Sequence, residues 1–374
     1  MLKKVDKILL ITSILLFAIG IVMIFSASSV TSYVKDKAPY AYCLKQVIFL
    51  VFSFILAWFL IKFPTKSYAY ISWLAMIAII VLLIVVLIHG TISNQAKSWI
   101  TIIKGVTLQP SEFAKVATIV WLASTYKYNN INIELKSFLV QIALVLLIAV
   151  LIFIQPDLGT MCIYVFIVFF MFTSLPISKK TKKNIFLGIA SLVLIVFILL
   201  MNNGVQIFFE RQLERFDFFN PCSEEKFYDS GSQVCNGYIA INNGGMFGKG
   251  LGNSTQKYLY LPEAYTDFIF AIIVEELGLV GGFAILILLF IVLWRIFIIA
   301  KQSNNDSSRL MCYGVFWYIL LHIIINLGGI MGLMPLTGVP LPFLSYGGSY
   351  ALSLVLALTF VQRVAIENKT LRKQ

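Results

Sequence analysis

The chain has 374 residues, 60% of them hydrophobic and only 12% charged, against roughly 45–50% apolar and about 25% charged residues in an ordinary soluble domain. So much apolar surface excludes a soluble globular fold. The formal net charge of +12 would point to nucleic acid if it formed a basic stripe with interleaved aromatics, but no such stripe occurs and no nucleic-acid partner is expected.

Apolar segments lie at roughly 8–28, 47–63, 69–89, 112–125, 137–154, 159–175, 184–201, 267–300, 310–332 and 349–365, most of them near the roughly 20 residues that cross a bilayer. Backbone amides in hydrocarbon need internal partners and nothing alternates like barrel strands, so these segments are helices. The predicted fold is an all-α integral membrane protein of about ten transmembrane helices, a single polytopic membrane domain over 1–374. A large extracellular loop, 202–266, separates helices 7 and 8, and a loop of that length is usually functional.

The first run follows Lys3, Lys4 and Lys7 and exceeds the apolar core of a secretory signal, so it reads as an uncleaved first helix. With the amino terminus inside, most of the 29 Lys and Arg residues fall in inner segments, and ten spans return the carboxyl terminus to the same side. Both termini are thus expected in the cytoplasm. The fourth span opens with Ser111, Glu112 and Lys115, which predicts burial among other helices. The eighth, about 34 residues, is long enough to cross with tilt and project beyond the membrane.

Of the five cysteines, Cys43, Cys162 and Cys312 lie in or beside spans as packing residues. Cys222 and Cys235 share the long outer loop, where a disulfide and two free thiols are both open readings.

Polar motifs collect at the outer ends: Ala96-Lys97-Ser98-Trp99, Gln109-Pro110-Ser111-Glu112, Gln155-Pro156-Asp157-Leu158-Gly159-Thr160, the glycine-rich run Asn242 to Asn253, Leu261-Pro262-Glu263-Ala264-Tyr265-Thr266-Asp267, and Thr337 to Gly348. Their one-sidedness points to a site facing outside. With Pro262 in the first turn of the eighth helix, Glu263 and Asp267 share a face. Their repulsion would then raise the proton affinity of one carboxylate. The other reading is that acids at a helix start complement its dipole. Glu275 and Glu276, about 12 Å deeper by helical rise, are either functional or a buried contact to another helix. Asp157 is placed to cap the sixth helix. His322 has no Cys, Asp or Glu at ligand spacing, so zinc is not expected, and neither a phosphate-binding loop nor a serine elbow occurs.

In combination and in order, the motifs from Trp99 to Gly348 resemble the FtsW/RodA/SpoVE family, the SEDS proteins. They include Thr266-Asp267-Phe268-Ile269-Phe270, Glu275-Glu276-Leu277-Gly278 and Pro340-Leu341-Pro342-Phe343 with Ser345-Tyr346-Gly347-Gly348. The resemblance implies a peptidoglycan glycosyltransferase that polymerises glycan strands from lipid II, the undecaprenyl-pyrophosphate-linked precursor. Transfer would invert the sugar and form β-1,4 bonds on the outer face of the bacterial cytoplasmic membrane, in cell division or cell-shape maintenance. The family's catalytic aspartate maps onto Asp267. Substrate contacts are expected from Glu263, Glu112, Ser345 and Tyr346, and from the cations Lys97, Lys104, Lys115, Lys249 and Lys257, with Arg211 and Arg215 as further outer cations. A divalent cation, Mg or Mn, near Glu112 or Asp267 would serve the same end, but no sequence feature establishes one and no other cofactor is expected.

Two positions depart from the family pattern: Ser98 stands where Arg is common before the tryptophan, and His322 where Gln is common. Pro335 to Gly348 and Leu261 to Asp267 look more like the division branch, FtsW, than the elongation branch, RodA. The expected partners are lipid II, membrane lipid, a class B penicillin-binding protein that crosslinks the strands, and other division proteins. Competing readings are a lipid II flippase and a non-catalytic scaffold of the division machinery.

Overall fold

The computed structural model describes residues 4–93, 96–103, 106–128, 135–175, 183, 187, 220–227 and 231–371. Its longer helices are α1 (Lys7–Val34), α2 (Ala41–Leu60), α3 (Tyr68–His89), α4 (Pro110–Tyr128), α5 (Leu135–Ile154), α6 (Leu158–Thr173), α7 (Ser232–Gly244), α8 (Ile269–Lys301), α9 (Asp306–Ile330) and α10 (Gly348–Leu371). All the predicted apolar segments fall on these helices except 184–201, which apart from residue 187 lies outside the described residues. Among the described residues six helices, α1, α2, α3, α8, α9 and α10, are long and apolar enough to cross a membrane. The protein is a multi-pass, all-α integral membrane protein.

The two ends of the bundle differ in what they hold. At one end Lys4 bonds Thr370 and Lys369 bonds the Val5 carbonyl, so both termini lie together. Asp6 caps α1 by accepting from Leu9 N, and its carboxylate also binds Arg295 of α8. Gln362 of α10 completes the clamp, accepting from Asp6 N and donating to its carbonyl. Burial alone would raise the Asp6 pKa, but the hydrogen bond and charge of Arg295, with the Leu9 amide and Lys369, hold it below its ordinary value.

α4 is buried as its polar start required: Ser111, Glu112 and Lys115 are shielded from solvent, and α3 and α9 pack along it. α8 departs from expectation. It is not one tilted rod, because Gly278 leaves helical geometry at φ 73° and ψ 178° and breaks it. The glycine-rich loop after α7 fills that break. Lys249 N and Gly250 N donate to the carbonyls of Glu275 and Glu276, while Leu279 N and Val280 N donate to the carbonyls of Gly245 and Met246. Groups freed by the kink are thus satisfied within the protein, the condition for irregular backbone at such depth. The approach is so close that a Cβ on Gly248 would run into the Glu276 carbonyl, and Gly248 itself has φ +80°.

A small antiparallel meander was not predicted: β1 (Thr91–Ser93), β2 (Ala96–Ile103) and β3 (Val106–Leu108), paired in the order β1-β2-β3. The sequence signal is local, the β-branched Thr, Ile and Val residues of Trp99 to Leu108 interrupted by Lys104-Gly105, a composition that fits pleated strand. In the long loop a disulfide joins Cys222 to Cys235, the first Cys beside a one-turn helix (Glu224–Phe227) and the second on α7.

Candidate functional site

Leu261 to Phe268 does not start a helix. The chain runs through turns, and α8 begins only at Ile269 with Phe268 as its N-cap residue. Glu263 takes a left-handed conformation at φ +56°. The Thr266 hydroxyl donates to the Glu263 carboxylate at 2.7 Å, while Thr266 N and Phe268 N donate to the Glu263 carbonyl. The expectation that Glu263 and Asp267 share a helical face is therefore corrected: the local turn claims Glu263, and nothing stacks the two carboxylates as i, i+4 helix neighbours.

Asp267 is half-buried, and its main chain is fixed from two directions. Asn326 of α9 donates through Nδ2 to the Asp267 carbonyl at 2.7 Å and to the Val339 carbonyl at 2.8 Å. On the other side the Ser345 hydroxyl donates to the Thr266 carbonyl at 2.6 Å and accepts from Leu341 N at 2.8 Å. Tyr346 N donates to the Tyr265 carbonyl. Gly338, at φ +72°, leaves room for the acid, since a Cβ there would lie 3.3 Å from Asp267 Oδ2. Ser345, expected at the substrate, is instead a buried peg between two loops, its hydroxyl committed to backbone.

Four residues before Asn326, His322 lies one helical turn away on the same face. Beside it the Lys115 ammonium donates to Glu112 Oε1 at 2.8 Å, and both side chains are buried. Glu112 Oε2 finds no hydrogen-bond partner among the described residues. Gln109 joins the motifs of three elements: its Nε2 donates to Asp157 Oδ2 at 2.8 Å and its N to Ser349 Oγ at the start of α10. Asp157 caps α6 through Thr160 N.

Beside this turn Tyr42, Tyr265 and Tyr346 form an aromatic triangle with ring centroids 4.7, 5.2 and 5.7 Å apart. Burial and the neighbouring Tyr42 push the Tyr346 phenol up to about 12. Burial, then Tyr42 and Glu263, raise Tyr265 as well. Both stay neutral at physiological pH, so Tyr346 brings no charge to the turn.

The remaining expected cations do not converge here. Lys97 donates to the carbonyls of Leu87 and Ile88 and so caps the end of α3. Lys257 is buried, its ammonium bound to Glu276, Ser26 and the Gly252 carbonyl. Lys249 binds Glu275 and Thr255. Both glutamates accept further bonds from the 252–256 backbone, so the pair proves to be the anchor of the glycine-rich loop. Lys249 and Lys257, expected at the substrate, thus each neutralise a buried acid. Lys104, Arg211 and Arg215 lie outside the described residues. No three His, Cys, Asp or Glu side chains among the described residues converge as a metal site.

Sequence reasoning missed Asn326, which ties α9 to the Asp267 main chain, and Gln46 of α2, which accepts from Gly347 N. Their signal was an amide side chain in an otherwise apolar helix, where an unsatisfied polar group is costly.

Fold and site together define a multi-pass helical membrane protein whose polar motifs meet at the end of the bundle opposite its termini, around a carboxylate on a fixed turn. The chain belongs to the FtsW/RodA/SpoVE family of cell cycle proteins, whose family model matches residues 6–370. It is 37% identical over 367 residues to a Bacillus subtilis protein named probable peptidoglycan glycosyltransferase FtsW, covering 96% of this chain and 89% of that one. Stage V sporulation protein E of the same organism is 34% identical over 366 residues, 96% of each chain. A chain of a peptidoglycan synthase complex that coordinates polymerization and crosslinking shares the fold at a TM-score of 0.75 and 24% identity, covering 97% of this chain and 98% of that one. Rod shape determining protein RodA of Thermus thermophilus gives a TM-score of 0.66 at 24% identity, with 96% of each chain covered.

Proposed function

We propose that the chain is a peptidoglycan glycosyltransferase that polymerises lipid II at the outer face of the cytoplasmic membrane. The observation that carries this reading is Asp267 on a turn pinned by Asn326, with the buried Lys115 ammonium one turn of α9 away beside His322. Asp267 accepts the proton of the acceptor sugar hydroxyl as its oxygen attacks the anomeric carbon of the donor. The new carbon–oxygen bond forms as the bond to pyrophosphate breaks. Pyrophosphate departs as an anion, so no second carboxylic acid is required, in contrast to glycosidases. Lys115 supplies fixed positive charge toward the charge that develops.

Two amino-acid patterns support cytoplasmic termini: basic residues cluster near the termini and the polar motifs at the opposite end. The resemblance to a synthase-complex chain supports a crosslinking class B penicillin-binding protein as partner. A flippase reading drew on Glu275 and Glu276, and these are occupied in holding a loop.

The test is polymerisation of lipid II by the purified protein with its penicillin-binding partner. Asp267→Asn is expected to lower the rate by roughly a hundredfold or more while the thermal midpoint stays near that of the parent. Undiminished polymer from this variant would reject the base. Translocation of lipid II in liposomes that persists in a variant unable to polymerise would favour the flippase.

A further inference from the structure

His322 sits in an apolar helix and takes no part in the proton transfer above, yet its ring is held on every side. It stacks on Tyr350, centroids 4.6 Å apart and planes at 25°, and meets Tyr318 edge-on at 5.0 Å. Its Nε2 is 3.0 Å from Lys115 Nζ and its Nδ1 is 3.2 Å from the Pro340 carbonyl oxygen. A carbonyl only accepts and an ammonium only donates. Nδ1 must therefore carry the hydrogen and Nε2 the lone pair. An imidazolium or the opposite tautomer would aim an N–H at the ammonium.

Through this ring a chain of contacts runs from Glu112 to Lys115, His322 and the Pro340 carbonyl. Pro340 follows Val339, whose carbonyl shares the Asn326 amide with Asp267. Gly338, in the same segment, lies against the Asp267 carboxylate. One side chain of α9 thus sets where the segment sits relative to the cation, and its neighbour one turn on sets where it sits relative to the base.

We infer that His322 is a positioning residue, locked as the neutral Nδ1–H tautomer, that ties the Lys115 ammonium to the Pro340 carbonyl and so fixes the cation relative to the Asp267 base. This rests on the glycosyltransferase reading for its kinetic consequence, whereas the tautomer itself does not.

The chain has two histidines, so protein labelled with ¹⁵N in its histidine rings gives two ring patterns, and His322→Gln removes the one to be assigned. The expected pattern is that of a neutral Nδ1–H ring. An Nε2–H ring, an imidazolium or an average of tautomers would overturn the proposal even if the protein proved inactive. In lipid II polymerisation, His322→Leu is expected to lower kcat by roughly tenfold to a hundredfold with little change in KM, the scale of a misplaced reacting group. His322→Gln, whose amide both accepts and donates, recovers most of that loss. A fully active Leu variant, or a Gln variant as poor as Leu, would overturn the link. A parent enzyme that makes no polymer would instead sink the glycosyltransferase reading, leaving the ring spectrum to decide the tautomer.

Discussion

Asn326 holds Asp267 by the main chain and not by the side chain: one amide nitrogen donates to the Asp267 carbonyl and to the Val339 carbonyl, joining α9, the turn before α8 and the segment before α10. The turn that carries the carboxylate is thereby held through its backbone. Such a link makes the amide a determinant of rate as well as of stability.

Asn326→Leu leaves both carbonyls without that donor in a buried place. Each unsatisfied group costs about 1–3 kcal/mol, so the thermal midpoint falls and kcat for glycan polymerisation falls with it. Calorimetry in detergent and single-turnover assays on the same preparation check the pair of effects. A variant that unfolds earlier but turns over at the parental rate would show that the turn keeps its shape without Asn326.

The Lys257–Glu276 pair is almost fully buried, with side-chain exposures of 4% and 0%. Removing one partner leaves an uncompensated charge, which typically costs about 3–5 kcal/mol. Lys257→Met is therefore expected to be more damaging than Lys257→Met combined with Glu276→Gln. A double-mutant cycle followed by thermal unfolding reads this coupling, and strictly additive losses would refute it.

At the other end of the bundle, Asp6 links pH to stability. Its folded pKa lies below the ordinary 3.8 because of Arg295, despite the opposing effect of burial. A depressed carboxylate contributes stability that is fully present above its unfolded value and is lost as pH falls through the folded one. Asp6→Asn keeps an N-cap oxygen but loses the charge. The midpoint difference between parent and variant should hold from neutral pH to about 5 and close below 3.8. A gap that widens on acidification would contradict the assignment.

Much of the plan was legible because a bilayer imposes period and length on a sequence. Apolar runs located the helices, and the polar opening of α4 announced its burial through Glu112 and Lys115. The cap at Asp157 was equally visible, since capping is a local event within one turn. Less legible was anything that depended on what faced it. Glu263 and Asp267 were four apart and looked like helical neighbours, but the Thr266 hydroxyl competes locally for Glu263 and the helix starts later. The long and mostly apolar run after Ile269 hid the kink at Gly278, because the loop that satisfies the freed backbone comes from some 30 residues earlier in the chain. Lys249, Lys257 and Lys115 read alike as outer cations. Only their partners separate two that neutralise loop-anchoring acids from one that pairs with Glu112 and meets His322 of α9.

By itself, then, the order of amino acids determined the solvent this protein lives in, the helices that cross it and the end at which its polar motifs gather, since each follows from hydrophobic transfer and short-range periodicity. The tertiary structure alone decided which charged groups pair with one another. That outcome depends on distances between segments far apart in the chain, and electrostatic energy falls too steeply with separation for sequence spacing to stand in for it.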